Sequence, residues 1–116
     1  MDKIMDKVSN YQQIIIDFLQ QQAEATKGRD ENIRTEVIVD RESNNFQLLS
    51  MGWKEHLHQF FVAFHFSIIN DKIWLQWNRT EHEVVDFLME RGVPKSDIVL
   101  GLKPPYARKH TGFAVS

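Results

Sequence analysis

Two histidines near the middle of the chain, His56 and His58, have the spacing best suited to metal chemistry. Residues two apart share one face of a strand, and imidazole nitrogens are common zinc ligands. His65 lies an odd number of residues from both, so it would face away unless a β-bulge intervenes. No third ligand follows at a signature spacing, and the chain has no cysteine. The pattern therefore favours exposed hairpin histidines, and no metal site or cofactor is predicted.

A second group, Glu81, His82 and Glu83, resembles an acid–base cluster. These residues also occupy the first turn of a predicted helix, where carboxylates interact favourably with the helix dipole. The chain contains no Gly-rich phosphate loop, nucleophile elbow or paired-acid signature. We therefore expect a protein that is not an enzyme, with a metal-dependent enzyme centred on His56 and His58 as the last alternative.

The C-terminal segment is the one part of the chain with a marked charge asymmetry. Residues 94–116 carry four Lys/Arg and one Asp, a net charge of +3, while the whole chain carries −2. Three interpretations remain open: a docking segment for an acidic protein surface, a phosphate contact with single-stranded nucleic acid, or a structural crossover. Direct nucleic-acid binding is the less favoured functional reading, because so few cations are present. The predicted partner-binding residues are Trp74, Pro104, Pro105, Tyr106, Arg108, Lys109, His110 and Phe113.

Trp74 enters that set because tryptophan is enriched at interface hot spots. Simple packing of Trp53, Trp74 and Trp77 is the alternative. Strict alternation along a strand would place Trp74 and Trp77 on opposite sheet faces. The exposed member of this pair is then the better interface candidate.

The pattern of apolar residues predicts two helices around a run of strands. The first helix is expected from Asn10 to about Ala25, with Ser9 as its cap and Gln12 completing a capping box. The second is expected from about Glu81 to Arg91, with Thr80 and Glu83 as its capping box and Gly92 as its C-terminal stop.

Four strand-like runs lie between these helices, and consecutive hairpins join them. The turns include Asn70-Asp71, a two-residue hairpin connection. The expected fold is α+β: an N-terminal helix, a four-stranded antiparallel meander, a second helix, and an extended C-terminal segment. Pro104-Pro105 directs that segment along a polyproline-like path, and Gly112–Val115 could end it in a short strand. The predicted strands are Ile33–Asp40, Phe46–Trp53, Leu57–Ile69 and Ile73–Trp77.

The third strand is apolar on both sides, which is typical of a strand buried on both faces. Alternation places Phe60, Val62, Phe64, Phe66 and Ile68 on one face. The helices can cover one side of the sheet. The other needs the C-terminal segment or a second protein chain, so a homo-oligomer, most simply a dimer, is predicted.

Size and composition are those of one globular domain spanning residues 1–116. The chain is 42% hydrophobic and 26% charged, as is usual for globular proteins. No apolar run approaches the roughly 20 residues of a membrane span, and the charged N-terminus does not resemble a signal peptide. A cytoplasmic protein without a membrane segment is expected.

Several segments together resemble one family. Gly92–Gly101, Pro104-Pro105-Tyr106 and Thr111–Val115 resemble the closing signature of the XisI family, the fdxN-element excision controlling factors common in cyanobacteria. Tyr11–Ile15 resembles the first helix of that family, and Lys72–Gln76 its fourth strand. The departures are Leu102-Lys103, where members often carry an aromatic residue and a histidine, and Asn78-Arg79, which replaces a commonly Gly-containing turn.

The resemblance implies an accessory role in excision of a DNA element by a separate site-specific recombinase. Members are typically encoded beside XisH-like proteins, which resemble nucleases, so an XisH-like protein is the first candidate partner. The resemblance implies no catalytic residues. The leading hypothesis is thus a regulator that binds a protein, and the second is a DNA-binding accessory factor that uses the basic C-terminal segment.

Overall fold

A five-stranded sheet with its two longer helices on one face forms the framework of the protein. The computed structural model describes residues 3–78 and 81–116, with side chains from residue 7 in the first helix and from residue 83 in the second. In chain order the elements are α1 Lys3–Thr26, β1 Ile33–Asp40, β2 Asn45–Lys54, β3 Leu57–Ile69, β4 Lys72–Trp77, α2 Glu81–Glu90, a 3₁₀ turn Lys95–Asp97, β5 Ile98–Val99 and α3 Pro105–Arg108. The predicted α+β class is confirmed.

The sheet follows chain order, β1-β2-β3-β4-β5. The first four strands are antiparallel neighbours, as the meander prediction required. β5 was not predicted, and it pairs parallel to β4 after the chain has passed through α2. Two residues are enough for this strand, because Ile98 and Val99 are both fully buried at the sheet edge.

The core lies between the sheet and the two longer helices. Phe18 of α1 is its centre, with its ring edge-on to Phe64 at 5.2 Å, Phe66 at 5.8 Å and Phe87 at 5.2 Å. These contacts join α1 to β3 and α2, and the edge-to-face geometry suits aromatic quadrupoles. The buried apolar side chains that the strands contribute to this core are Phe46, Leu48, Phe64, Phe66, Ile68, Ile73, Leu75 and Ile98.

A register shift in the β2–β3 pair changes which side chains of β3 reach this core. Leu48 lies opposite Phe64, but Leu49 lies opposite Val62, so β3 has one extra residue. A bulge of this kind transfers the following side chains to the other face. The prediction that Phe60 and Val62 share a face with Phe64 is therefore wrong.

The first helix begins earlier than predicted. It runs through Ser9 and Asn10 from Lys3, so neither Ser9 nor Gln12 acts as a cap. Gln12 is instead buried, and its amide nitrogen donates to the Arg41 carbonyl at 3.1 Å and to Asn44 Oδ1 at 2.6 Å. These bonds attach the middle of α1 to the β1–β2 turn.

The turn predictions based on local chemistry are confirmed. Asn70 and Asp71 have φ of 52° and 63°, the left-handed pair that a type I′ hairpin requires. At the end of α2, Gly92 has φ of 93°, its N–H donates to Met89 O, and the N–H of Val93 donates to Leu88 O. This is a Schellman motif. The predicted cap at Thr80 lies outside the described residues.

The C-terminal prolines follow a shorter extended path than predicted. Pro104 has φ −64° and ψ 153°, which is extended, but Pro105 already begins the single turn of α3. Proline suits this first helical position because its fixed φ is helical and its missing N–H would have no partner there. The expected last strand is reduced to one parallel bridge between Val99 and Ala114.

No helix in residues 3–78 and 81–116 combines the length and apolar character needed to cross a membrane.

Two glycines have positive φ for different reasons, which predicts different costs of substitution. Gly92 has open space where a Cβ would lie, so Gly92→Ala adds only left-handed strain, about 1–2 kcal/mol. Gly52 has φ of 145°, and a Cβ there would collide with the Asn32 carbonyl oxygen. We expect Gly52→Ala to lower the free energy of unfolding more than Gly92→Ala in urea titrations. Equal losses would contradict the close approach of β2 to Asn32.

Candidate protein-binding surfaces

The segment from 101 to 113, here called the C-terminal loop, is attached to the sheet at both ends. The N–H of Leu102 donates to Leu75 O at 3.1 Å, beside β4. The N–H of Ala114 donates to Ile98 O at 2.9 Å, where the chain returns to the edge. Loops that close on themselves in this way present a fixed surface.

Arg108 holds the loop together from inside. Its Nε donates to the Lys103 carbonyl at 3.1 Å and its Nη2 to the Gly101 carbonyl at 3.5 Å. The guanidinium lies 5.1 Å from the centre of the Trp74 ring, a distance typical of a cation–π contact. Arg108 therefore joins the two sides of the loop and packs the loop against β4.

The predicted partner-binding residues fall into two groups. Trp74, Arg108 and Phe113 are half-buried, and Phe113 packs against the core. The others are exposed, and Tyr106 has 77% of its area accessible. We call this exposed set the loop surface: Pro104, Pro105, Tyr106, Lys109 and His110.

A shallow groove of about 560 Å³ runs between α2 and the C-terminal loop. Its lining combines apolar side chains such as Met89 and Phe113 with polar ones: Asp86, Lys95, Lys103 and His110. The Lys95 ammonium lies 5.8 Å from the Phe113 ring centre. The groove and the loop surface share His110, so they form one region in which basic side chains outnumber the acidic Asp86.

A polar contact connects α1 to the segment just before β5. The Tyr11 hydroxyl donates a hydrogen bond to Asp97 Oδ2 at 2.5 Å, and Lys7 Nζ lies 2.9 Å from the same oxygen. Burial opposes the charge on Asp97, but the bonds from Tyr11 and Lys7 outweigh it and keep the Asp97 pKa below its usual value. Burial and the bond to Asp97 raise the pKa of Tyr11. Asp97 thus orders the start of the C-terminal region.

The sheet face turned away from α1 and α2 carries a second candidate surface. Opposed residues of an antiparallel pair share a face, so the register places six neighbouring apolar side chains there. We call these residues the open face: Ile38, Leu49, Met51, Trp53, Phe60 and Val62.

The two tryptophans of β4 lie on the same side of the sheet, contrary to strict alternation. Trp74 is opposite Ser67 and Trp77 is opposite His65, because a register shift separates the two pairs. Trp77 is the exposed member, at 55%, whereas Trp74 lies under Arg108. Trp77 is therefore the stronger interface candidate of the two.

Three of the five histidines, His56, His58 and His65, occupy the open side of the sheet and the adjoining turn. His58 lies opposite Trp53, and the two rings are 4.8 Å apart. His65 Nδ1 lies 2.9 Å from Gln47 Oε1, and burial lowers the pKa of His65. His56 is exposed in the β2–β3 turn. Within the described ranges, His, Asp and Glu form no group of three that could hold a metal ion.

Comparison with known proteins gives a consistent result. The sequence model of the XisI protein family matches residues 5–115. The crystal structure of a XisI-like protein from Anabaena variabilis is 34% identical, with a TM-score of 0.87 over 94% of this chain and 99% of that one. The fdxN element excision controlling factor XisI from the same organism is 24% identical, with a TM-score of 0.84 over 95% and 99%. Among curated proteins, none matches.

The chain belongs to the XisI family. The predicted resemblance is confirmed, and it extends through the C-terminal loop, since the match ends at residue 115. The 24% identical structure shows the shared fold alone.

Sequence reasoning missed the internal role of Arg108 and the bond between Tyr11 and Asp97 in this XisI family chain. Tyr11 and Asp97 are 86 residues apart, and no local pattern connects positions so distant. For Arg108, the carbonyls that it bonds lie five and seven residues earlier. The proline pair before it indicates a turn, which is the one signal that could have suggested such closure.

The contact of Asp97 predicts a pH-dependent contribution to stability. A depressed carboxyl pKa stabilises the fold above the unfolded value of about 3.9, and this stabilisation is lost as pH falls through the folded pKa. Tyr11→Phe removes a hydrogen bond to a charged group, so we expect a loss of about 1.5–3 kcal/mol at neutral pH. The loss should shrink at pH values where Asp97 is protonated.

Chemical denaturation at neutral and strongly acidic pH measures both effects. Tyr106→Phe is the matched control, because Tyr106 is 77% exposed, and its effect should stay within about 0.5 kcal/mol. A Tyr11→Phe loss that is the same at both pH values would contradict the role of Asp97.

The contacts of Arg108 predict that the C-terminal loop opens when the guanidinium is replaced. Lysine cannot reproduce the planar fork that reaches two carbonyls and a ring. We expect Arg108→Lys to speed proteolytic cleavage within residues 101–113 several-fold while the rest of the fold stays intact. Lys109→Ala, at the exposed neighbouring position, should leave cleavage unchanged. Equal cleavage of both variants would show that Arg108 does not hold the loop.

Proposed function

We propose that this XisI family chain is a noncatalytic excision controlling factor that acts by binding a protein partner. The observation that carries the proposal is the family match over residues 5–115, together with a 34% identical XisI-like structure that covers nearly the whole of both chains. A related structure is named as the fdxN element excision controlling factor XisI. A controlling role calls for recognition surfaces, and the C-terminal loop is the one that we propose for the partner.

The loop surface is suited to docking because it is already ordered. Bonds from Arg108 and the attachments at Leu102 and Ala114 fix the loop before any partner arrives. A partner therefore does not have to order a flexible segment, which would reduce the affinity. Tyr106 projects from this platform as a large aromatic side chain with a polar tip, the type enriched at interface hot spots.

The charge of the region indicates what kind of protein surface would fit. Residues 94–116 carry +3 in a chain with a net charge of −2. An acidic surface on the partner would be attracted to Lys109, His110 and the neighbouring groove. An XisH-like protein is the first candidate, because the family is typically found with such nuclease-related neighbours.

Direct DNA binding through the same segment is the weaker alternative. Arg108 bonds two carbonyls of its own loop and stacks on Trp74. It is therefore less available to a phosphate backbone than its neighbour Lys109. A binding mode built on few phosphate contacts would show a shallow salt dependence and low affinity.

Titration calorimetry with a purified XisH-like partner tests the proposal. We expect binding at micromolar concentration or tighter, weakened at least about tenfold by Tyr106→Ala, a loss of about 1.4 kcal/mol. Lys109→Glu should weaken binding and flatten its salt dependence. Lys27→Glu, in the turn just after the end of α1, is the charge-matched control, and it should bind as the unchanged chain does.

Two results would contradict the proposal. One is no association between the clean proteins at micromolar concentration. The other is association that neither loop variant weakens, which would place the contact elsewhere. Binding to a DNA duplex or single strand that is lost on Lys109→Glu, without any partner protein, would favour the alternative.

A further inference from the structure

The open face presents more exposed aromatic surface than a solitary sheet face usually does. Phe60 is 63% exposed and Trp53 54%, with Trp77 at 55% on the same side of the sheet. Full burial of such side chains covers about 150–250 Å² each, so these three alone expose roughly 300–400 Å². Contiguous apolar patches of this size commonly mark interaction sites.

The aromatic side chains are continuous with further apolar residues at the centre of the face. Leu49 lies opposite Val62, and Met51 lies opposite Phe60. Ile38, 41% exposed, extends the strip onto β1. With these additions, and with Trp77 counted, the apolar area on this side of the sheet is roughly 600 Å², most of the roughly 800 Å² that each partner contributes to a standard stable interface.

The charges beside the strip are of both signs. Arg34 and Glu36 lie on the same side of β1, and Arg34 Nε is 3.3 Å from Glu36 Oε1. Asp40 is engaged locally, where its carboxylate accepts the N–H of Ser43 at 2.9 Å. In a two-fold dimer, the basic side chains of one copy can therefore lie opposite the acidic side chains of the other.

The charges around the open face indicate which kind of molecule would cover it. A two-fold interface brings the same patch of both subunits together, so a surface of one sign would repel its own copy. The C-terminal region is basic and would do so, whereas the open face has an uncharged centre and a rim of paired charges. The open face suits a copy of itself better than a strongly acidic or basic partner.

We propose that a second copy of this chain covers the open face, giving a two-fold dimer in which the two sheets pack face to face. Packed sheets lie about 10 Å apart with interdigitating side chains, so Phe60 and Trp53 of each copy would enter the shared layer. The dimer uses a surface distinct from the loop surface. The dimer proposal does not depend on the proposed partner, because it is tested on the isolated chain.

Sedimentation equilibrium of the full chain at micromolar concentration is the direct test. We expect a mass twice the 13.7 kDa of one chain. Phe60→Glu should raise the dissociation constant at least about 100-fold, leaving monomer at that concentration. Trp53→Glu should act in the same direction, and circular dichroism checks that both variants remain folded.

Leu57→Glu is the matched control. Leu57 is 67% exposed and lies three residues before Phe60 on the same strand, so alternation places it on the opposite side of the sheet. The introduced charge is the same. The control should remain dimeric at the concentration where Phe60→Glu is monomeric.

Charge reversal on β1 tests whether the interface is self-complementary. Arg34→Glu alone should weaken the dimer several-fold at low salt, because two acidic residues of each copy then meet across the axis. Combining Arg34→Glu with Glu36→Arg should restore association, since both signs are present again. Failure of the double variant to recover would contradict the arrangement of rim charges.

A monomeric mass for the unchanged chain at micromolar concentration would overturn the proposal. So would a dimer that survives both Phe60→Glu and Trp53→Glu, because association would then use another surface, such as the edge of β1. Loss of the dimer in Leu57→Glu to the same extent would show that the open face is not the specific contact.

Discussion

The edge-on contacts of the Phe18 ring with Phe64, Phe66 and Phe87 set the arrangement of the rest of the molecule. One side chain joins α1, β3 and α2, so both longer helices are committed to the same face of the sheet. Removing a buried aromatic at such a junction leaves a cavity shared by three elements. Neither of the two longer helices covers the second face of the sheet.

The protein covers this second face unevenly. Over β4, the C-terminal loop places the Arg108 guanidinium on the Trp74 ring, and a Cβ at Gly101 would come within 3.1 Å of the same indole. Over β1 to β3, Phe60 and Trp53 stay more than half exposed. The C-terminal loop thus covers β4 but not β1 to β3, where burial by another protein chain would be favourable.

The features that the sequence could predict were those whose interacting residues lie close together along the chain. Asn70-Asp71 and Gly92 were predictable because the turn chemistry lies within a few residues, and the alternation in Ile33–Asp40 reflects one covered face. The bulges were not predictable, because Phe60–Phe66 is apolar at nearly every position and its pattern is compatible with either register. The Tyr11–Asp97 bond and the position of β5 depend on chain segments that meet only after folding. Of the predicted site residues, the pattern could not separate inward Arg108 from outward Lys109.

The two surfaces differ in the interaction that each favours. The open face is apolar with balanced charges, so association there would depend on buried area and would change little with salt. The loop surface is basic and ordered in advance, so recognition there would depend on charge and on one aromatic anchor. A regulator with both could remain self-associated while its other surface binds and releases an acidic protein. Because the Tyr11–Asp97 bond and Arg108 order the loop from inside the chain, that second surface would be intact whether or not the first is occupied.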